Sequence, residues 1–422
     1  MSHRPRRDIA ATLHAASAVA WLVGGLLSPA LEGIAFGVLA PVAVWRWREL
    51  AATLRGSPRL RSIVIGYAVL MAWVCASAAW APAGATPAFH LRQMVAPLLI
   101  VHAGVSVAGL MVAALLGGGC RAAVAGAELA GLPMPAGLSV DYVSKGTLGI
   151  QLLGVAAFTF VRFARGWRQW PVPLAVLALW AVGSAQLASR GSLLAGLAGG
   201  AIGLASQTRS WRTAAAVGLG LCLAGAAAAA VLQSSPLLRK FIDGSVLTVS
   251  AAAEGRSNGV LDPETIDNYL SYRLVLWDWT VRHLSGKVVA GHGLGTWSVD
   301  FNAAAASGSA NPPWRSRPFP RDFRMAHAHN LYLQVAYEQG AVGVGLLALV
   351  LVLLLRCFWG SPDPAIAVFG MTLLVTFLVA RCNMGGDIDS RVSGASFAFL
   401  LCAGAVAARP GEPFGERLTA GR

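Results

Sequence analysis

The segment RMAHAHNLYLQVAYEQGAVGVGLLALVLVLLLR, Arg324 to Arg356, sets an arginine and two histidines just before a run apolar enough to cross a bilayer. A neutral imidazole at a wet membrane boundary can accept the proton of an attacking hydroxyl, so His329 and His327 are candidate general bases. They fall two residues apart at a helix start, a spacing that points them to different sides and leaves only one to face a given site. Arg190 in LASRGSLLAG, Arg273 in SYRLVLWDWTVRHLSGK, and Arg324 itself offer complementary chemistry. A guanidinium is permanently charged and presents a planar fork that matches phosphate oxygens, so it can neutralise a pyrophosphate leaving group without a metal. Each of these groups could instead serve as a headgroup contact, a helix cap or an interfacial hydrogen bond. His283, on an amphipathic pattern, and His292, in the turn-like AGHGLG, are weaker candidates.

The elements that must position these groups follow from composition. Of 422 residues, 56% are hydrophobic and 12% charged, and the mean hydropathy is +0.61. A soluble chain of this make-up has too few polar residues to cover its surface, so the expected fold is an all-α polytopic membrane protein. Apolar runs near 9–29, 32–47, 62–82, 93–117, 121–138, 146–163, 171–188, 191–207, 213–233, 329–356, 364–381 and 391–408 predict about twelve transmembrane helices. Within 88–138, MVAPLLIVHAGVSVAGLMVAALLGG is long and AGAELAGLPMPAGLSV poorly apolar, so one of the two is expected to be re-entrant or broken. The basic start MSHRPRR and the apolar run after it lack a clear small-x-small cleavage site, so they read as a retained first span.

The net charge of +14 is spread over short arginine clusters between apolar runs: RPRR, WRWREL to RLR, RFARGWRQW, RSWR and the terminal RPGEPFGERLTAGR. Strict alternation of spans puts all five on one side, the cytoplasmic side, together with both termini. The charge is therefore topology, and nucleic-acid binding is a poor fit because no cluster sits in a polar domain with interleaved aromatics. The expected organisation is helices over 1–233, a periplasmic loop domain at 234–328, helices over 329–408 and a cytoplasmic tail at 409–422. In the loop, Asp262 and Pro263 start an amphipathic helix that Gly286 ends, with Ile266, Leu270, Leu274, Trp277, Val281 and Leu284 on its apolar face. Six cysteines without a C-x-x-C, and none in the loop, indicate neither a zinc site nor a disulfide framework.

Three stretches together carry a resemblance: SRG before a span, YRLVLWDWTVRHLSGKVVAGHGLGTW, and HNLYLQVAYEQGAVG. They resemble the O-antigen ligase and Wzy-type polymerase family, and the ligase branch in particular. The details are an Arg-x3-Leu from Arg190 to Leu194, the His329–Asn330 pair, and Gly340 after nine further residues. The resemblance implies a GT-C-type glycosyltransferase of the bacterial inner membrane with its active site facing the periplasm. Such a ligase moves finished O-antigen from undecaprenyl pyrophosphate to a sugar hydroxyl of the lipid A core, with inversion, no cofactor and no metal. His329 matches the family's essential histidine, and Arg190 and Arg273 its arginines; Arg324 is a secondary phosphate contact, and Asn330, Tyr332, Asp389 and His327 are orienting neighbours. A Wzy-type polymerase or a protein O-oligosaccharyltransferase would use the same class of donor, with membrane lipids as surroundings in every case. A transporter would instead gather its charges near the bilayer midplane, where only His14 and His102 fall, and these read as structural.

Asp387 and Asp389 form a D-x-D in RCNMGGDIDSRVSG, a spacing that holds a divalent ion in other glycosyltransferases. Beside Arg381 and Arg391, pairing with those arginines, or Asp389 orienting His329, is preferred to metal binding. Transfer is accordingly expected to continue at full rate in EDTA. Loss in EDTA with recovery in magnesium would show that an ion, not an arginine, neutralises the leaving group.

Overall fold

The computed structural model describes residues 9–82, 85, 91–129, 143–164, 167–186, 190–206, 272–315, 319, 323–382 and 391–408. Among these there is no strand. Five helices are long and apolar enough to cross a membrane, and six if the bent pair Pro29–Trp45 and Trp47–Gly56 counts as one. The chain is thus a helical membrane protein. The run expected at 213–233, the helix start at Asp262 and Pro263, the D-x-D with Asp387 and Asp389, and the tail from 409 lie outside the described residues.

Helices α1 (Ile9–Leu27), α2 (Pro29–Trp45), α3 (Trp47–Gly56) and α4 (Pro58–Ser77) open the bundle. Ser28 and Ser57 cap α2 and α4 through their hydroxyls, each followed by a proline in the first helical turn. In the next two apolar runs the break expected within 88–138 falls in the longer one. In place of spans at 93–117 and 121–138 there are a ten-residue α5 (Leu91–Ile100) and a 23-residue α6 (Val107–Leu129). The chain leaves the helix at the buried Val101–Ala103 and turns at Gly104, whose φ is +76°. Gly109 then faces Val19 and Gly117 faces Leu26, so α6 runs parallel to α1 from the middle of that helix. The length of the run points to a break, and it falls where His102, Gly104 and Ser106 interrupt the apolar residues.

Buried polar groups brace the break. The imidazole Nε2 of His14 donates to the Leu99 carbonyl at 3.0 Å. That leaves Nδ1 to accept from the Arg46 guanidinium at 3.1 Å, and Arg46 is paired in turn with Glu49. His102 lies edge-on to His14 at 4.5 Å. Arg121 donates to the carbonyls of Leu26 and Leu27 at 2.8 and 2.6 Å, which meets the unpaired acceptors at the end of α1.

The remaining helices are α7 (Val143–Phe163), α8 (Pro171–Gln186), α9 (Arg190–Ala205), α10 (Arg273–Arg282), α11 (Thr296–Ser307), α12 (Leu331–Trp359), α13 (Pro364–Arg381) and α14 (Arg391–Ala407). Gly199 packs on Thr376 and Gly203 on Thr372, where an added Cβ would meet a hydroxyl at 2.2 and 1.9 Å. Small residues let α9 and α13 approach this closely. The pairing runs antiparallel, so Arg190 at the start of α9 and Arg381 at the end of α13 share one end of the bundle.

Helix α12 breaks at Gly340, with φ 66° and ψ −166°. The segment 288–293, in the stretch read as a turn, fills the break. Ala341 and Val342 donate to the carbonyls of Val288 and Val289 at 2.8 and 3.2 Å. His292 and Gly293 donate to the carbonyls of Tyr337 and Glu338 at 2.8 and 2.9 Å, and the Trp73 indole donates to Gln339 at 3.0 Å. His292 is therefore part of a strap, its ring stacked on Tyr337 at 4.3 Å.

Helix α10 also differs from expectation. It ends at Arg282, before Gly286, and buries Val275, Leu276 and Trp279, while Val281 is 55% exposed. The buried face is rotated from the periodic one because Trp279 is drawn into an aromatic cluster with Trp297, Phe301 and Tyr337.

A Cβ at Gly340 would fall 2.3 Å from the Val289 carbonyl in a left-handed backbone. Gly340→Ala is expected to lower the melting temperature in detergent by roughly 5 °C or to prevent folding. Gly345→Ala, where a Cβ meets nothing within 4 Å, should change stability by less than about 0.5 kcal/mol; equal melting of the two variants would contradict the strap.

Candidate active site

The segment 323–330 has no regular structure, so its conformation depends on what grips it. The side-chain amide of Asn302 on α11 holds Met325 from both sides, donating to its carbonyl at 3.0 Å and accepting from its N–H at 2.8 Å. The Trp277 indole on α10 donates to the Ala328 carbonyl at 3.1 Å, and Gln334 Oε1 accepts from the Ala328 N–H at 2.8 Å. Asn330 then caps α12, its side-chain oxygen accepting from the N–H groups of Tyr332 and Leu333 at 3.0 and 3.1 Å. Between these anchors His329 is held at φ 53°, a left-handed conformation that a residue with a Cβ adopts at a cost of about 1–2 kcal/mol.

That conformation corrects the expectation that the two histidines diverge. The rings of His327 and His329 meet edge to face, with centroids 4.4 Å apart. The spacing rule presumes a helix, and both residues precede its first turn. His327 Nδ1 is buried and makes no hydrogen bond among the described residues.

The surroundings keep both imidazoles neutral. Burial lowers the pKa of His327 to about 4, helped by the positive charges of Arg381 and Arg273. Burial likewise lowers that of His329 to about 3, with His327 and Arg273 adding to the effect. Two neutral imidazoles, both near Arg273 and one of them also near Arg381, make a site that favours negative charge.

The other expected residues fall around this centre as follows. Arg273 is the first residue of α10 and acts electrostatically on both histidines. Arg324 is exposed and donates to the Phe323 carbonyl at 2.8 Å. Tyr332 is partly buried and donates to the Leu378 carbonyl at 3.0 Å, tying the start of α12 to α13 rather than touching a histidine through that hydroxyl. Arg190 begins α9 at this end of the bundle, and its side chain lies outside the described residues, as does all of Asp389.

Arg381 was legible only as a partner for the D-x-D. It is 2% exposed, donates to Ser396 at 2.9 Å and lies over Phe377, close enough to depress the proton affinity of His327. Arg315 was not singled out either, and its guanidinium lies over Tyr272 and Phe319 at 4.8 and 4.4 Å. Gln334 and Glu338, both buried, were read as part of an apolar span. Among the described residues no group of three or more His, Cys, Asp or Glu side chains could hold a metal.

No family model matches the chain, and no curated protein matches it. The fold and the site together define a helical membrane protein with a neutral histidine pair near two arginines at one end of its bundle.

Because both histidines bind protons less readily when folded than the usual value of about 6.5, the unfolded chain takes up more protons as pH falls. Their stabilising contribution is complete above about pH 6.5 and is lost as pH drops toward 4 and then 3. Thermal unfolding measured across this window should show stability declining with acid, and His327→Gln should flatten the decline. An unchanged slope in that variant would contradict the burial of a neutral ring.

Proposed function

We propose that the chain is an O-antigen ligase, a GT-C-type glycosyltransferase of the bacterial inner membrane with about twelve spans and both termini in the cytoplasm. Its site faces the periplasm and joins O-antigen to the lipid A core. The observation that carries this reading is the neutral His327–His329 pair, both rings near Arg273 and His327 also near Arg381, just before a membrane helix. A lipid-linked pyrophosphate brings negative charge to that depth, and an acceptor sugar brings a hydroxyl that needs a base.

In the reaction the acceptor oxygen attacks the anomeric carbon of the donor sugar while the bond from that carbon to the phosphate oxygen breaks. Undecaprenyl pyrophosphate leaves with the electron pair, and His329 takes the hydroxyl proton. One displacement inverts the configuration, and no nucleophilic carboxylate is required. Arg273 and Arg190, with Arg324 at the rim, hold the pyrophosphate and stabilise charge as it develops. An imidazole with a pKa near 3 is a weak base, but a bound polyanion offsets the cationic neighbours and raises its proton affinity. Donor binding thus switches the base on, and the empty site keeps it off.

Support also comes from the anchoring of the site. Asn302, Trp277, Gln334 and Asn330 fix the 325–330 backbone before any substrate arrives, which favours a base held in place over one that must be recruited.

The test is reconstitution with undecaprenyl-pyrophosphate glycan and purified rough lipopolysaccharide. Wild type is expected to put glycan on the lipid A core, and His329→Ala and Arg190→Ala to lose about a hundredfold or more while remaining folded. Extension of one lipid-linked glycan by another, without product on the core, would make the chain a polymerase instead.

A further inference from the structure

Three buried polar side chains on α12 touch no reacting group: Gln334, already seen to anchor the Ala328 N–H, Glu338 and Gln339. Gln334 is 2% exposed and Glu338 1%, and these two form a pair. They are one helical turn apart and bonded to each other, Gln334 Nε2 donating to Glu338 Oε1 at 2.7 Å. The direction of this bond is fixed from outside the pair. Gln334 must turn its oxygen to the Ala328 N–H, 2.8 Å away, which leaves its nitrogen to face Glu338. A carboxylate only accepts; Glu338 Oε1 also receives the Trp297 N–H at 3.3 Å, and its Oε2 the Gln339 amide at 3.4 Å. A polar chain therefore runs from the first turn of α11, through Glu338 and Gln334, to the peptide between the two histidines. The Trp277 indole holds the carbonyl of Ala328 as well.

We propose that Gln334 and Glu338 are positioning residues that hold His329 in its left-handed conformation, acting through the Ala328 amide, and so fix the orientation of the base. This rests on the assignment of His329 as the base. It accounts for an amide and a carboxylate spaced four apart on the buried side of a mostly apolar helix, where unpaired polar groups are costly. It also joins the α11 subdomain to the reacting end, because the carboxylate that orients Gln334 is met by a backbone N–H of α11.

The experiment reverses polarity within the pair. Gln334→Glu keeps an acceptor for Ala328 but sets one carboxylate against another. It should lower kcat at least about tenfold, with the donor KM within about threefold. Adding Glu338→Gln supplies a donor to the new carboxylate, and the double variant should regain at least about threefold of the lost rate. The rate at which diethyl pyrocarbonate modifies His329, followed by mass spectrometry, should rise in the single variant and fall back in the double. Gln334→Leu, which removes both hydrogen bonds without adding charge, must show the same loss of kcat and serves if Gln334→Glu does not fold. A folded single variant with wild-type kcat and wild-type His329 reactivity would overturn the proposal, as would a double variant no better than the single. If wild type transfers nothing to the lipid A core, the functional reading fails, yet the modification rates still decide whether the pair positions His329.

Discussion

A helix that crosses a bilayer must satisfy its own backbone, since an unpaired N–H or carbonyl in hydrocarbon costs several kcal/mol. Helix α12 violates that rule at Gly340, and much of the surrounding architecture exists to repair the violation. The strap 288–293 and the Trp73 indole meet the freed groups of residues 337 to 342. The strap also joins α10 to α11, so mending the helix fixes both of them against it. Those helices carry Trp277 and Asn302, and these hold the backbone of the histidine segment. A break in one membrane helix thus becomes the foundation on which a polar site is assembled.

The same packing sets the electrostatics. Burial disfavours the protonated forms of His327 and His329, and the nearby arginines disfavour them further. Arg381 and Arg273 reach the pair from different helices, one ending α13 and one beginning α10. An anion that enters relieves repulsion already built into the fold, and the gain in proton affinity appears at the atoms that need it. On the proposed function, substrate charge and base strength would be coupled.

Much of this was legible in the sequence because it follows from local chemistry. Composition revealed a helical membrane protein, the run after Asn330 revealed α12, and the residue types before it marked the place where ionisable groups collect. What was hidden depends on tertiary context. The break within 88–138 was legible from its length, but its position at 101–106 is set by His102 packing against α1 and by the positive φ of Gly104. The face that α10 buries is chosen by Trp279 finding Trp297 and Tyr337, not by its own periodicity. The meeting of His327 and His329 needs a left-handed backbone, which spacing rules do not anticipate. Gln334 and Glu338 were visible as letters, but only the Ala328 amide and the Trp297 N–H explain why an apolar helix carries them.

On the proposed function, pyrophosphate turns a suppressed imidazole into a base. That step is tested most directly by titrating His329, labelled with nitrogen-15 and assigned with the His329→Gln variant, with and without undecaprenyl pyrophosphate bound. The account predicts a free value near 3 that climbs by about two units or more when the pyrophosphate is present. A value near 6.5 in the free protein, or one that the pyrophosphate leaves unmoved, would contradict it.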